Sequence, residues 1–471
     1  MRRLELREPQ VPMVDFMRAN KRCAIWAGMG IGKGSAVLYV EDVMRLMDEI
    51  GSEPTLVIGP ARVARDTWPE EVAKWEQFRN LKIIPLTGTP EQRRDKLRAK
   101  ADMFTVSYEL APWLVEHFMA KWPFRRVIAD EADRLSGLRG KKGGHNLDGS
   151  KKRGASGERA FQLARVAHSI VDRWTNLTGT PTGNQGYADL WGQTWYLDRG
   201  QRLGATHGEF MRRYFRKKWS GFGVELGPYS KQIIDKELQD ICLTIDPKDY
   251  FDLHEPIVTP VSVTLPPKAR ALYKDLEVKM FAEIAEYGEI HIMNKGGLVN
   301  KCLQIAGGAV FTEHPIWAPI HNAKIEALES VIHEAAGAPV MVQYNFTHEA
   351  ERIQAAFPKA VDLSKKAGEA AFKAGDAQIG YAHPKSMGHG IDGLQKVCNI
   401  IARFGHTWNT RDTNQFRARI GPMRQYQEGF DRPVYEYDIV AKDTVDEDVL
   451  SVHATNCSVL EALMAAMKRR R

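Results

Sequence analysis

The sequence predicts an α/β protein with two lobes, each a doubly wound parallel sheet, joined by a helical connector with insertions. Short β-rich runs alternate with helical periods in the first half, the alternation stops in the middle of the chain, and it returns toward the end. The length of 471 residues and the hydrophobic content of 43% suffice for two or three domain cores.

Four β-rich runs in the first half are each followed at once by small or acidic residues. A parallel sheet carries its functional groups at the carboxyl ends of its strands, so these four junctions are the candidate sites. The runs are residues 23–26, 55–58, 127–129 and 174–177.

The middle and the end of the chain complete the predicted architecture. Residues 201–320 are rich in basic and aromatic side chains and lack the alternation, which predicts the helical connector. Strands are predicted again at 340–342, 399–402 and 434–440. We therefore expect the first lobe at 1–200 and the second at 321–471.

Composition narrows the class of protein. The N-terminus carries arginines without an apolar stretch, and nowhere do about 18 apolar residues follow one another. This predicts a cytoplasmic protein, neither secreted nor membrane-spanning, and we expect a monomer. The five cysteines lie far apart and have no zinc-ligand spacing, which predicts reduced thiols and no zinc. A formal net charge of +7 favours a polyanionic partner.

The first junction, residues 27–33, has the composition of a phosphate-binding loop. Glycines let backbone N–H groups approach phosphate oxygens, and a following helix, predicted to begin near Ser35, adds partial positive charge. Lys33 would reach the β and γ phosphates, while Gly34 stands where such loops carry Ser or Thr. A fortuitous glycine-rich turn is the alternative. The candidate phosphate-binding residues are Gly28, Gly30, Gly32, Lys33, Gly34 and Ser35.

The third junction ends an apolar strand in paired carboxylates, Asp130 and Glu131. An acid at the first position can hold Mg²⁺, and the adjacent glutamate can orient and deprotonate the water that attacks the γ-phosphate. A solvated acidic turn is the alternative interpretation of the tetrapeptide alone. The separation in sequence between the candidate phosphate loop and this tetrapeptide favours the catalytic interpretation.

The order of these segments resembles that of the superfamily 2 helicases over almost the whole chain, with the motif set of the Swi/Snf-like translocases. Residues 6–10 resemble the glutamine motif, in which Gln10 would read adenine. Residues 177–181, Leu-Thr-Gly-Thr-Pro, resemble the third motif of Swi/Snf-like proteins. The resemblance implies two RecA-like lobes that bind ATP and Mg²⁺.

The second lobe carries segments that resemble the fifth and sixth motifs. Residues 382–392 match the fifth, which implies nucleotide contacts for Gly390 and Asp392. Residues 415–425 match the sixth, and Arg419 and Arg424 correspond to its two arginines, either of which could be the finger that stabilises the transition state. The Ile-Gly-Pro-Met-Arg-Gln variant is similar to the small phage-encoded members, which implies the host cytoplasm.

The metal site departs from the family pattern at Gly34, which offers no hydroxyl for Mg²⁺. We expect Asp130 to be the main protein ligand of the metal. Ser35 lies about 100° further round the helix, so its hydroxyl would serve as a ligand only if the helix starts differently.

The predicted polynucleotide contacts suit backbone tracking rather than base reading. Residues 59–62 resemble motif Ia and residues 105–109 resemble motif Ib, and the resemblance implies that these loops contact phosphates of one strand. A basic loop, Gly137 to Arg159, follows the candidate catalytic acids. Double-stranded DNA is the expected partner, with single-stranded DNA as the alternative. The candidate contact residues are Pro60, Arg62, Ser107, Lys141, Lys142, Lys151, Lys152, Arg153 and Ser386.

Two rival functions stay open at this point. The literal Asp-Glu-Ala-Asp suggests an RNA-directed DEAD-box protein, although that family uses a Ser-Ala-Thr third motif. The altered phosphate loop suggests a DNA-binding scaffold that has lost activity. An acidic segment, Asp443 to Glu447, resembles one that follows the sixth motif in Swi/Snf-like proteins and favours the translocase over the DEAD-box rival.

Overall fold

A computed structural model describes residues 3–138, 155–182, 186–217, 224–294, 297–313, 315–387, 391–455 and 459–470. The chain divides into two compact units, of which the first ends at Asp252 and the second begins at Leu253. Each unit contains a parallel sheet with helices, which confirms the predicted α/β class.

The first unit has nine strands within its described residues. They are β1 (Arg22–Ala27), β2 (Thr55–Gly59), β3 (Ile83–Pro85), β4 (Met103–Ser107), β5 (Arg126–Asp130), β6 (Arg173–Thr178), β7 (Phe215–Lys217), β8 (Val224–Leu226) and β9 (Cys242–Ile245). Seven of them form one sheet in the order β3-β4-β2-β5-β6-β1-β9, and every neighbouring pair is parallel. Strands β7 and β8 form a separate antiparallel pair.

The helices of the first unit lie between these strands in the chain. They are α1 (Gln10–Ala19), α2 (Lys33–Leu46), α3 (Trp68–Lys74), α4 (Pro90–Arg98), α5 (Ala111–Phe118), α6 (Ala155–Ala167), α7 (Leu190–Asp198), α8 (His207–Tyr214) and α9 (Ser230–Leu238). A single π-helical turn, Val63–Thr67, leads directly into α3.

Helices cover both faces of this sheet because consecutive residues in the middle of its central strands are apolar, residues 56–58 in β2 and 127–129 in β5. Successive side chains of a strand point to opposite faces. Leu56 and Val127 accordingly pack in one hydrophobic cluster, and Val57 and Ile128 pack in another. Continuous rather than alternating hydrophobicity is typical of a parallel sheet that is buried on both sides.

The second unit repeats the plan with a six-stranded parallel sheet in the order β10-β17-β16-β13-β15-β14, besides the antiparallel pair β11 and β12. Its strands are β10 (Ile257–Val263), β11 (Ala309–Glu313), β12 (Ile316–Pro319), β13 (Val340–Gln343), β14 (Val361–Asp362), β15 (Ile379–Ala382), β16 (Ile400–Arg403) and β17 (Tyr435–Ala441). Its helices are α10 (Pro267–Asn294), α11 (Gly297–Gly307), α12 (Ala323–Glu334), α13 (Thr347–Ala356), α14 (Lys366–Ala374), α15 (Pro384–Met387), α16 (Thr410–Arg417), α17 (Pro422–Gln427), α18 (Val445–Thr455) and α19 (Val459–Arg470).

The predicted strands are present, but the boundaries between units differ from the expected ones. The segment 201–320 is not one connector, because its strands join both sheets. Strand β9 pairs with β1, so the first unit continues past residue 200. Strand β10 pairs in parallel with β17, with Ile257 opposite Tyr435, so the second unit starts well before residue 321. Sequence-distant backbone pairing of this kind leaves no local signal.

An acidic segment and a basic segment of the C-terminal region form ion pairs within the second unit. Asp446, in the acidic segment after the sixth motif, is buried against Lys324 with 2.6 Å between Oδ2 and Nζ. Arg469 and Arg470, from the basic C-terminal tail, pair with buried Asp448 at 2.9 and 3.1 Å. These charges satisfy one another inside the second unit, so the tail residues Arg469 and Arg470 give no support for a DNA contact.

The described cysteines, Cys23, Cys242, Cys302 and Cys398, are buried free thiols, as predicted. Burial raises the pKa of Cys23, Cys302 and Cys398 to about 12, which keeps these thiols protonated and unreactive. Within the described ranges, no helix has the length and apolar character that a membrane crossing requires.

The core of the second unit contains a neutral histidine whose protonation opposes folding. His406 is 3% exposed and its Nε2 lies 2.9 Å from the carbonyl oxygen of Ile439. Burial, the largest cause, lowers the pKa of His406 from 6.5 to about 3. Below pH 6.5 the unfolded chain therefore takes up a proton that the folded chain takes up only near pH 3. The stability that the neutral ring contributes is lost as pH falls through this window.

We expect His406→Gln, which keeps a donor for the Ile439 carbonyl, to reduce the acid sensitivity of the protein. Between pH 7.5 and 4.5 the wild type should lose roughly 2–3 kcal/mol more unfolding free energy than the variant, because about two pH units lie below 6.5. Denaturant unfolding at both pH values measures the difference. The exposed His333→Gln is the control, and an equal loss in the wild type and His406→Gln would contradict the assignment.

Candidate functional site

The candidate phosphate loop connects β1 to α2 and has the backbone that its glycines predict. Gly30 and Gly32 adopt φ of 88° and 92°, a left-handed conformation that costs glycine little. Helix α2 begins at Lys33 with Gly32 as its N-cap, two residues earlier than the predicted start near Ser35. The three residues Lys33, Gly34 and Ser35 therefore form the first turn of the helix, whose N–H groups attract anions.

Lys33 closes the loop in this structure. Its Nζ donates to the carbonyl oxygens of Ala27 at 2.7 Å and Gly28 at 3.2 Å. The ammonium group thus lies over the loop where a bound phosphate would meet it. A Cβ atom at Gly28 would lie 2.6 Å from Pro247, and one at Gly32 would lie 2.4 Å from Arg7, so both positions require glycine.

Gln10 braces the phosphate loop from α1. It is 1% exposed, and its Nε2 donates to the Gly32 carbonyl at 2.8 Å and to the Ser35 hydroxyl at 2.9 Å. Its Oε1 accepts from the backbone N–H of Arg7 at 2.9 Å. The predicted adenine-reading residue is therefore tied to the loop that would hold the phosphates.

The Ser35 hydroxyl points back into the loop. Besides accepting from Gln10, it donates to the Gly32 carbonyl at 3.0 Å, and the residue is 3% exposed. Ser35 would have to give up this bond to direct its oxygen elsewhere, so the geometry favours Asp130 as metal ligand. Gly34, by contrast, has room for a side chain, since the nearest atom to an added Cβ is Cγ of Glu71 at 4.0 Å.

The two candidate catalytic acids stand at the carboxyl end of β5. Oδ1 of Asp130 accepts from the backbone N–H of Glu131 at 3.0 Å, and Oδ2 accepts from the indole of Trp68 at 3.0 Å. Burial and then the neighbouring charge of Glu131 raise the pKa of Asp130 to about 6, and Lys33 opposes the rise. The positive charge of Lys33 is therefore close enough to act on the Asp130 carboxyl.

Glu131 has a backbone that few side chains adopt. Its φ of 55° and ψ of 53° are left-handed, and it caps the 3-10 helix Ala132–Gly137. Such strain persists at functional sites where the surroundings enforce it. Tyr108, which is buried, supports the turn by donating its hydroxyl to the Asp130 carbonyl at 3.0 Å.

The segment that resembles the third motif lies between the phosphate loop and the acids. Strand β6 ends at Thr178 and pairs with β1 on one side and β5 on the other. A Cβ atom at Gly179 would lie 3.3 Å from Met29 and 3.4 Å from the carbonyl of Ala27. The segment therefore packs directly against the phosphate loop.

These residues fit a nucleotide with one magnesium ion. Mg²⁺ is usually held by one or two carboxylates together with substrate phosphates, rather than by a cage of protein ligands. Across the described residues, no group of three His, Cys, Asp or Glu side chains is arranged to hold a metal alone. One buried carboxylate, a lysine and a glycine-rich loop at a helix N-terminus are the appropriate set.

The second unit brings its own predicted residues together. Arg424, near the start of α17, forms an ion pair with Asp392, and Nη1 of Arg419 donates to the Ile391 carbonyl at 3.0 Å. The fifth and sixth motif segments are therefore adjacent. Residues 418–421 separate α16 from α17, so Arg419 lies in the break between the helices and Arg424 lies within α17. Gly390 lies outside the described residues.

The candidate DNA contacts are placed only in part. Pro60 and Arg62 follow β2, and Ser107 ends the adjacent β4, with Gly59 and Ser107 in register. Ser107 is 8% exposed and Pro60 is buried, so these two offer mainly backbone atoms to a partner. The Ser386 hydroxyl, in the second unit, donates to the His383 carbonyl at 2.7 Å.

Most of the predicted basic loop lies outside the described residues. This part includes the candidate DNA contacts Lys141, Lys142, Lys151, Lys152 and Arg153. Its predicted ends are regular structure: residues 132–137 are 3-10 helix, and α6 begins at Ala155. The loop is therefore shorter than the sequence predicted.

Three residues that sequence reasoning missed support the site. Trp68 and Tyr108 hold the catalytic acids, and Asn409 caps α16, where its Oδ1 accepts from the backbone N–H of Asp412 at 3.1 Å. Asn before a helical segment is a capping signal that the sequence did offer. The two aromatic residues gave no such signal, because a buried ring is most often part of a core.

Comparisons with known proteins agree with this geometry. Residues 13–142 match the family model of the SNF2-related domain. The chain is 40% identical over 469 residues to putative protein p41 of Acyrthosiphon pisum secondary endosymbiont phage 1, covering 97% of each chain.

Solved structures that align with most of this chain have low sequence identity to it. The SWI2/SNF2 ATPase core of Sulfolobus solfataricus in complex with dsDNA is 19% identical, with 96% of this chain and 91% of that chain covered and a TM-score of 0.45. The Hef helicase domain of Pyrococcus furiosus is 12% identical, with 95% and 97% covered and a TM-score of 0.48.

Gly34→Thr tests the predicted metal site. The space beside Gly34 admits the side chain, and its hydroxyl would supply the ligand that the loop lacks. We expect the Mg²⁺ concentration for half-maximal ATP turnover to fall by about ten-fold, the equivalent of 1–2 kcal/mol. Gly34→Ala is the matched control, because it fills the same space without a hydroxyl. Equal Mg²⁺ requirements in the two variants would refute the prediction.

Proposed function

The chain belongs to one family with the phage protein p41 and matches the SNF2-related domain at residues 13–142, and on that premise we propose that it is a Swi/Snf-like motor that hydrolyses ATP with Mg²⁺ and moves along duplex DNA. The observation that carries the proposal is the meeting of Lys33 with Asp130 and Glu131 across β6. A phosphate loop and a pair of acids at one edge of a parallel sheet suit phosphoryl transfer to water.

Each residue of the first unit has a distinct role in this reaction. The loop N–H groups and Lys33 would bind the triphosphate, and Asp130 would hold Mg²⁺, which neutralises charge on the phosphates when bound. Glu131 would orient the attacking water and accept its proton as the bond to the γ-phosphorus forms. Gln10 would bind the adenine base, and its hydrogen bonds to Gly32 and Ser35 would link base binding to the phosphate loop.

The second unit would supply the arginines. A guanidinium is permanently charged and planar, so it stabilises the equatorial oxygens of the transferring phosphoryl group. Arg424 is paired with Asp392 in this structure, and its use on a phosphate would break that pair. Nη1 of Arg419 donates to the Ile391 carbonyl. We propose that one of the two arginines is the finger and that the other supports it.

The proposed DNA contacts follow the same sheet edge. The loop at Pro60 and Arg62 and the loop after Ser107 adjoin because β2 and β4 are neighbours. Backbone N–H groups and an arginine there would track phosphates without reading bases. The net charge of +7 favours any polyanion, and the Leu-Thr-Gly-Thr-Pro segment favours DNA over the RNA of the DEAD-box proteins.

The cellular setting of the proposed motor follows from the relative encoded by a phage. We infer that a phage-encoded chain of this kind would act as a monomer in the host cytoplasm, on the DNA present there. A catalytically weakened scaffold is the second candidate, because Gly34 removes a metal ligand. The bracing of the loop by Gln10 and the enforced backbone of Glu131 favour an active enzyme.

Steady-state ATP turnover separates the candidate functions. We expect double-stranded DNA to raise the rate more than single-stranded DNA or RNA of equal nucleotide concentration, since the motif set is that of duplex translocases. Glu131→Gln is the matched inactive variant, because the amide keeps the shape of the side chain and cannot act as the base. The rate of ATP turnover should fall about 10² to 10⁴-fold in this variant. Equal rates of ATP turnover with double-stranded DNA, single-stranded DNA, RNA and no nucleic acid would exclude the motor.

The sixth-motif arginines give an independent test. We expect Arg419→Ala and Arg424→Ala to lower turnover by roughly 10³-fold or more while ATP binding changes little, because the charge acts in the transition state. Lys396→Ala, an exposed cation of the same unit, is the control. If both arginine variants hydrolyse ATP as fast as the control, the assignment of the sixth motif is wrong.

A further inference from the structure

The metal-binding carboxylate of the proposed site is held by a side chain from another part of the first unit. Trp68 opens α3 and is 2% exposed. Its indole N–H donates to Oδ2 of Asp130 at 3.0 Å, across 62 positions of sequence. A buried indole N–H needs a hydrogen-bond acceptor, and here that acceptor is the carboxylate that is proposed to hold the metal.

The bond fixes the direction of the carboxylate. Oδ1 of Asp130 already accepts from the backbone N–H of Glu131, so the two donors engage one oxygen each and set the plane of the group. Each oxygen keeps a lone pair for a metal. Partners that orient metal-ligating carboxylates commonly determine metal affinity by 10 to 100-fold.

The backbone leading to Trp68 ties this bond to the loop after β2. The π-helical turn Val63–Thr67 lies between that loop and α3, and the Ala64 N–H donates to the Pro60 carbonyl at 2.9 Å. The Thr105 hydroxyl of β4 donates to the Ala64 carbonyl and anchors the turn. Single π-helical turns frequently occur at functional sites, where they redirect the following side chains.

We propose that Trp68 is a positioning residue for the metal, which holds the Asp130 carboxylate in its binding orientation and connects it to the loop at Pro60 and Arg62. This deepens the proposed function and rests on it for the role of Asp130. Contact of a phosphate backbone with that loop would then act on the metal site through one short, buried path of Ala64, the π-helical turn and the indole.

The test measures the affinity of a fluorescent ATP analogue at increasing Mg²⁺ concentrations, without DNA and without turnover. In Trp68→Phe the ring remains and the N–H is lost. We expect its Mg²⁺ concentration for half of the metal-dependent gain in affinity to rise on the order of ten-fold. The affinity without Mg²⁺ should stay at the wild-type value, because the indole does not touch the phosphate loop.

Trp317→Phe is the matched control. Trp317, in β12 of the second unit, also donates its indole N–H to a carboxylate, Oε2 of Glu351 at 2.7 Å, and neither residue belongs to the proposed nucleotide site. It should leave the Mg²⁺ requirement unchanged. In an Asp130→Asn background, which lacks the carboxylate that Trp68 holds, Trp68→Phe should have no further effect on analogue binding.

Three results would overturn the inference. They are an unchanged Mg²⁺ requirement in Trp68→Phe, an equal shift in Trp317→Phe, and a further loss of analogue binding when Trp68→Phe is added to Asp130→Asn, which would show a general packing role. Failure of the proposed function looks different. In that case the wild type shows no ATP turnover stimulated by duplex DNA, whereas the binding assay still decides whether Trp68 positions Asp130.

Discussion

The shared edge of one parallel sheet is the constraint on which the candidate site depends. Because β5, β6 and β1 run in the same direction, their carboxyl ends bring Asp130, Gly179 and the phosphate loop together. Residues about 100 positions apart in the sequence thereby meet within electrostatic range, as the influence of Lys33 on the pKa of Asp130 shows. Braces from α1 and α3 then fix the loop and the carboxylate separately.

The second unit relies on buried charges to place its sixth-motif helix. Arg417, the last residue of α16, pairs with Glu436 of β17 at 2.7 Å, and Arg403 of β16 pairs with the nearby Asp438. Buried pairs of this kind contribute little net stability but are costly to break singly. They therefore fix where α16 ends, two residues before Arg419, more than they strengthen the fold.

Charged segments near the C-terminus have partners that the sequence pattern does not identify. The acidic residues 443–447 resemble a segment that follows the sixth motif in Swi/Snf-like proteins. In the structure Asp446 neutralises Lys324 inside the unit, and Asp448 neutralises Arg469 and Arg470. Local sequence gives the sign of a charge but not its partner, which is distant in the chain.

The sequence by itself determined the fold class and the strands that carry the motifs, and it predicted Lys33, Asp130 and Glu131 as site residues, because hydrophobic runs and the residues that end them are local features. Only the tertiary structure decided where the units divide, that the Ser35 hydroxyl faces Gln10 and Gly32, and that Trp68 holds Asp130. Those outcomes depend on strand pairing and hydrogen bonds between distant segments, and no local pattern encodes them.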